Sequence, residues 1–174
     1  MTPSETSFEV LWRLHPEDRA EIRMHGRKVK VPRWQQAFGR DYRFSGQVNR
    51  ALPVPPVLAL LLEWAQNTID SRLNGLLLNW YDGKLGHYIG AHRDSAKDLV
   101  PGAPIVTMSL GEQRIFRIRP WKKDGMTSSI NLDLTNGTVV VMPYETNQAF
   151  THEVPASTRL QGRRISVTAR AFAR

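Results

Sequence analysis

Arg163-Arg164-Ile165-Ser166-Val167-Thr168-Ala169-Arg170-Ala171-Phe172 is the stretch that decides the fold class. Side chains of an extended strand alternate between faces. Ile165, Val167, Ala169 and Ala171 therefore share one face, and Arg164, Ser166, Thr168 and Arg170 share the other. The apolar face demands a core. The polar face carries two arginines, and a guanidinium turned into a β-sandwich is costly unless an anion meets it. At about 3.3 Å per residue the two backbones stand roughly 20 Å apart. Such a pair would address opposite ends of an elongated dianion, each through the planar fork that grips a carboxylate in bidentate fashion. The competing reading is an exposed strand face bearing solvated charge.

Upstream of this segment the chain repeats short apolar, β-branched runs: Leu76–Tyr81, Ile105–Leu110, Arg114–Arg119, Ile130–Leu134 and Thr138–Met142. Asp82-Gly83, Gly111, Asp124-Gly125 and Asn136-Gly137 supply turns between most of them. A double-sheet jelly roll closes such a set of strands. Before it, Leu58, Leu61, Leu62, Ala65, Ile69 and Leu73 recur at helical spacing behind Pro55-Pro56, which predicts one strong helix. Trp64 within it reads as core. Residues 20–50 are basic and aromatic, punctuated by Gly26, Pro32, Gly39 and Gly46, and read as short strands and loops. The first seven residues read as a polar tail. The expectation is an α+β, mainly β, single domain over residues 1–174.

The 174 residues suffice to bury a real core. Cysteine is absent, which excludes a disulfide framework and thiolate metal sites and leaves His, Asp and Glu as ligands. No apolar run approaches the roughly 20 residues that span a membrane, and the N-terminal sequence lacks the basic-then-apolar pattern of a signal peptide. A cytoplasmic location is expected, with a nucleus or organelle also compatible. Twenty-four Lys and Arg against 16 Asp and Glu give a formal charge of +8, which suits a polyanionic partner.

The chemistry concentrates in Asn79-Trp-Tyr81-Asp-Gly-Lys-Leu-Gly-His87-Tyr-Ile-Gly-Ala-His92-Arg93-Asp94. His92 and Asp94, two apart on extended chain, share a face. With His152 downstream they supply two histidines and one carboxylate, the facial ligand set of non-haem Fe(II) oxygenases. An HxD pair alone is a weak signal; the third ligand and the two arginines strengthen it. Arg93, between two ligands, should point away from the metal and could meet a phosphate. His87 reads as a surface residue, and Met108 and Met142 as packing residues.

Asn79-x-Tyr81, His92-x-Asp94, Pro104-Ile105…Ser109-Leu-Gly111, Phe150-x-His152 and Arg164-x-Ser166-x-Thr168-x-Arg170 together resemble the AlkB-type Fe(II)/2-oxoglutarate-dependent dioxygenases, in family order. The resemblance implies a double-stranded β-helix (jelly roll) with an N-terminal substrate-recognition lid, here about residues 20–50, before a catalytic core at 75–174. It implies Fe(II) on His92, Asp94 and His152. It places the distal carboxylate of 2-oxoglutarate on Arg164 with Tyr81 donating, and Asn79 and Arg170 near the end that chelates the metal. Ser166 stands where the family usually has Asn.

Gly26…Val31-Pro32-Arg33-x-Gln35 and Tyr42-x-Phe44-Ser45-Gly46 further resemble the lid of the DNA-repair members. There, Phe44 would stack on a flipped base from one side and His92 from the other, with Arg33 near the substrate or its backbone. His25 falls where relatives can carry an aromatic finger, and Ala96 where an acidic residue is usual. The implied activity is oxidative dealkylation of N-alkylated bases in DNA or RNA, releasing succinate, CO₂ and an aldehyde, with a monomer as the expected state. Two alternatives are a 2-oxoglutarate-dependent hydroxylase of a small molecule or protein side chain, and a nucleic-acid-binding module without chemistry.

Overall fold

The computed structural model describes residues 5–24, 26–44, 46–121 and 128–173. Helix α1 (Glu5–Trp12) opens the chain, so the stretch read as a polar tail already enters a helix. Four short strands and one longer neighbour follow: β1 (Glu21–Met24), β2 (Arg27–Lys30), β3 (Trp34–Phe38), β4 (Tyr42–Phe44) and β5 (Gln47–Asn49). Helix α2 (Pro56–Thr68) begins on the prolines, where the first turn leaves N–H groups unpaired in any case. Leu58 and Ala65 are buried, and Leu61, Leu62 and Ile69 pack beside them. Trp64 is 39% exposed, not core: it projects from the opposite side of the helix.

Eight strands that follow α2, joined by β3, form the sandwich: β6 (Gly75–Asp82), β7 (Ile89–His92), β8 (Ile105–Gly111), β9 (Arg114–Pro120), β10 (Ile130–Leu134), β11 (Val139–Met142), β12 (Phe150–Val154) and β13 (Arg163–Arg170), with α3 (Tyr144–Ala149) before β12. One sheet runs β11-β8-β13-β6-β3 and the other β10-β9-β12-β7, antiparallel throughout. Apart from the β9–β10 hairpin, successive strands from β6 to β13 cross between the sheets, which is the jelly-roll winding. Sequence patterning finds six of the eight. It misses β7 and β12 as strands, because Gly90 and His92 in one and His152-Glu153 in the other leave no continuous apolar run, yet these two carry the histidines.

β13 lies in the middle of the larger sheet, buried on both faces. Ile165, Val167 and Ala169 join Leu76, Leu78, Trp80, Val106, Met108 and Leu110 in a core sealed by α1 and α2. Each fully buried aliphatic side chain contributes on the order of 1.5–3 kcal/mol. Trp80 adds a hydrogen bond from Nε1 to the Leu11 carbonyl (2.9 Å), which fastens α1 to the sheet. The other face of β13 looks at the smaller sheet, so Arg164 and Arg170 lie inside the sandwich. Gly111 closes β8 at φ +89°, and a Cβ there would run into the Arg163 carbonyl; only glycine fits.

The basic segment 20–50 is divided. β3 pairs with β6 and extends the larger sheet, whereas β1–β2 and β4–β5 are separate two-stranded hairpins. Arg27, Lys28, Val29 and Lys30 are all exposed on β2. His25 lies outside the described residues.

Candidate active site

Between the sheets lies a cavity of about 460 Å³ whose walls include His92, His152, Asn79, Tyr81, Arg164, Ser166 and Arg170, with Arg33, Tyr42 and Phe44 from the N-terminal strands. His92 and His152 are direct cross-strand partners of β7 and β12, which sets their rings 4.3 Å apart. One donor atom each from His92, Asp94 and His152 lies within 4.8 Å of the others. That spacing lets a single ion touch all three.

Hydrogen bonds orient this set. His92 Nδ1 lies 2.9 Å from the Gly90 carbonyl, which can only accept, so Nδ1 carries the proton and Nε2 keeps its lone pair for a metal. Asp94 Oδ2 accepts from Nε of Arg170 at 2.8 Å, and Nη2 of the same guanidinium forms an ion pair with it at 2.8 Å. Oδ1 accepts from the Tyr42 hydroxyl (3.0 Å) and faces His92 Nε2 at 3.9 Å. The Asp94 main chain is bracketed by the buried Asn147, which accepts from Asp94 N (2.9 Å) and donates to its carbonyl (3.1 Å).

Burial alone would raise the Asp94 carboxyl, but Arg170, His152 and His92 outweigh it and hold it well below the usual carboxylate range. Burial pushes His152 down to about 4, with His92 acting in the same direction. Burial also lowers His92. Both imidazoles are therefore neutral and Asp94 ionised near neutral pH, which is the protonation state a metal requires.

The far end of the cavity holds Arg164. Its Nε donates to Ser109 Oγ (2.9 Å), its guanidinium lies 5.1 Å from the Tyr81 ring centroid, and Nη1 is buried without a hydrogen-bond partner. Burial lowers its pKa. A buried guanidinium with a free N–H, aimed into a cavity, fits a carboxylate. Ser166 makes only a long contact with Thr168 Oγ1 (3.4 Å), which in turn meets Thr107 Oγ1 (3.2 Å). The donor set at one end and the unpaired cation at the other thus fit a metal ion and an elongated dianion. No helix among the described residues is long and apolar enough to cross a membrane.

The expected residues meet here, with amendments. Arg33 is buried in the cavity wall, where it donates to Asn79 Oδ1 (2.8 Å) and Gln35 Oε1 (3.1 Å). Phe44 lines the cavity. Arg93 is exposed, donates to the Gln148 carbonyl (2.8 Å) and covers the Trp121 ring at 4.2 Å. His87 is 1% exposed rather than on the surface: its Nδ1 accepts from Asp82 N (3.2 Å) and its ring meets the edge of Trp34. Sequence reasoning gave no role to Tyr42, Ser109 or Asn147. Tyr42 had a signal, since it shares a strand face with Phe44; Asn147 had none.

A jelly roll that opens on two histidines and a carboxylate, with a buried arginine opposite, defines a non-haem metal oxygenase architecture. Residues 5–170 match the model of the 2OG-Fe(II) oxygenase superfamily, and the chain belongs to that family. Fe(II) and 2-oxoglutarate are the metal and cosubstrate that this membership implies, and the donor set accommodates both. The DNA oxidative demethylase ALKBH2 of Homo sapiens is 30% identical over 159 residues, covering 87% of this chain and 60% of that protein. Its counterpart in Mus musculus is also 30% identical, over 87% and 66% of the two chains. That of Arabidopsis thaliana is 29% identical over 194 residues, covering 96% and 62%. The chain therefore spans less than two thirds of the length of these relatives. The solved structure of OsALKBH1 superposes with a TM-score of 0.58 at 17% identity, over 97% of this chain and 92% of that one, and shares the fold.

Proposed function

We propose that this protein is an oxidative demethylase of N-alkylated bases in DNA, with RNA as a further substrate class. The observation that carries the reading is the single cavity that unites a His-Asp-His donor set, the buried Arg164 and the aromatic wall of Phe44. Its similarity to the ALKBH2 proteins over most of its length supports DNA as the substrate.

In this reading, His92, Asp94 and His152 hold Fe(II), and Arg164, Tyr81, Ser166, Asn79 and Arg170 receive 2-oxoglutarate. Fe(II) with 2-oxoglutarate and O₂ supplies the oxidation: one oxygen atom ends in succinate as CO₂ leaves, the other hydroxylates the N-alkyl carbon, and the resulting hemiaminal releases an aldehyde. The protein's own residues do the rest. Arg170 occupies one Asp94 oxygen, so the other would be the atom available to a metal. Arg164, itself buried, would neutralise the distal carboxylate. Phe44 and His92 flank the base, which must leave its stack at a cost of a few kcal/mol, less when alkylation has already broken its pairing. Arg33 meets the substrate from within the cavity, while Arg93, with the exposed β2 cations, acts at its rim; His25 is a further candidate substrate contact from the sequence. The whole of 1–174 works as one domain, as a monomer, in the cytoplasm.

The test is succinate formation by the purified protein with Fe(II), ascorbate and 2-oxoglutarate, with and without a methylated single-stranded oligonucleotide. Oligonucleotide-dependent succinate with loss of the methyl group is expected. Succinate that ignores the oligonucleotide would point to another substrate.

A further inference from the structure

Tyr42 sits on β4 of the hairpin that also carries Phe44. The two rings stack 5.9 Å apart at 20°, as residues two apart on one strand face can. From there Tyr42 reaches into the metal-binding cluster. Its hydroxyl donates to Asp94 Oδ1 at 3.0 Å, and the Arg170 guanidinium lies over its ring at 4.9 Å. Because the Arg170 guanidinium occupies Oδ2, Oδ1 is the oxygen left facing His92 Nε2. Tyr42 therefore holds the carboxylate oxygen that a metal would use.

The β4–β5 hairpin forms no backbone ladder with either large sheet; on the β5 side, Asn49 holds it to β3, its side chain accepting from Ala37 N (3.0 Å) and donating to the Gln35 carbonyl (3.2 Å). Its seating on the sandwich depends on side-chain contacts, and the Tyr42–Asp94 bond is one of them. The two residues after Asp94, Ser95 and Ala96, offer no carboxylate that could take the phenol instead. Whatever shifts this hairpin when a base enters beside Phe44 shifts the donor on Asp94 as well.

We propose that Tyr42 is a positioning residue that links the seating of the lid on a substrate base to the orientation of the metal-binding carboxylate, so that base binding and metal binding strengthen one another. The inference rests on the metal and lid roles proposed above. Such a linkage is reciprocal: the factor by which an oligonucleotide raises metal affinity equals the factor by which metal raises oligonucleotide affinity.

The experiment is a Mn(II) titration of the full chain, followed by the magnetic-resonance signal of free Mn(II). It compares the parent with Tyr42→Phe, each with and without a methylated single-stranded oligonucleotide. The phenyl ring keeps the stack on Phe44 and loses only the donor. Tyr42→Phe should weaken Mn(II) binding about tenfold, the low end of the range for groups that orient metal ligands. It should also remove the gain in Mn(II) affinity that the oligonucleotide gives the parent. An unchanged circular-dichroism melt of the metal-free variant separates this from misfolding. Equal Mn(II) affinity in both proteins overturns the inference. So does a variant that is weakened but keeps the parent's full response to oligonucleotide, because Tyr42 would then order Asp94 without linking it to the lid. A parent that binds the oligonucleotide with no change in Mn(II) affinity refutes the linkage and leaves the nucleic-acid reading standing. If the oligonucleotide fails to bind, that reading is refuted, and the metal-only comparison still decides whether Tyr42 positions Asp94.

Discussion

Replacing Arg164 with Met separates what this residue does for the fold from what it does for the ligand. In the structure the guanidinium is 1% exposed, Nη1 has no partner, and Nε has only a serine hydroxyl. A buried donor left unpaired costs about 1–3 kcal/mol, and an apolar side chain of similar length removes that penalty. The lost Ser109 contact returns about 1 kcal/mol of destabilisation. The ligand-free Arg164→Met protein should therefore be as stable as the parent within about 1 kcal/mol, or more stable, as when buried ion groups elsewhere are replaced by hydrophobic residues. The cosubstrate should behave in the opposite way. Deleting one partner of a buried charge pair costs about 2–5 kcal/mol of binding, so a 100-fold loss of affinity for 2-oxoglutarate, about 2.7 kcal/mol, lies near the low end. The assay is thermal melting of Mn(II)-loaded protein with 2-oxoglutarate under anaerobic conditions. At a ligand concentration of about 100 times the parent Kd, the parent gains about 2.7 kcal/mol, or roughly 5–11 °C for a chain of this size. The variant, then at about its own Kd, gains only about 0.4 kcal/mol, or roughly 1–2 °C. An equal ligand-induced shift in both proteins would refute the assignment of Arg164 to the dianion. A ligand-free variant several kcal/mol less stable than the parent would refute the claim that the guanidinium is held for its ligand rather than for the fold.

Asn147→Ala should lower stability by about 2 kcal/mol, because the Asp94 N–H and carbonyl lose their buried partner, and should weaken Mn(II) binding about tenfold; urea unfolding and a metal titration test the two effects separately. Phe44→Ala should weaken binding of a methylated oligonucleotide by about 1–3 kcal/mol, the usual worth of one base–aromatic stack, while 2-oxoglutarate affinity stays put; fluorescence anisotropy and calorimetry would show whether both fall together, which would mean that the cavity itself had collapsed. Metal-free stability should rise with pH between about 4 and 6.5 and level off above. His152 has its folded pKa pushed down to about 4, so across that window the unfolded chain, titrating near 6.5, binds more protons than the folded one. Asp94, also held below its unfolded value, acts in the same direction at lower pH. Denaturant melts of the metal-free protein from pH 4 to 8 check the slope, and a stability that falls with rising pH would contradict the burial assigned to His152.

The sequence by itself determined the jelly roll and most of the site. The alternation of Arg163–Phe172 is local information, since the period of a strand fixes which residues share a face whatever the partner strands are. It placed Arg164 and Arg170 together on one side before any neighbour was known, and the His92-x-Asp94 spacing did the same for two ligands. Helix α2 was legible because its apolar period and its prolines act within one turn. What only the tertiary structure decided are the contacts made across the sandwich. Asn147 comes from a one-and-a-half-turn helix with no distinctive composition, and its worth depends wholly on lying against the Asp94 backbone, 53 residues away. Tyr42 reads as one more lid aromatic until the fold brings it to Asp94, 52 residues on. His87 lies in a polar loop, and nothing local says that Trp34 will cover it; Trp64 lies in an apolar helix, and nothing local says which side the sheet leaves bare. β7 and β12 became strands by pairing with each other, and β12 with β9, within the smaller sheet. Periodicity is written in the chain one residue at a time, whereas a partner for a carboxylate or a cover for a ring exists only once distant segments have been packed together.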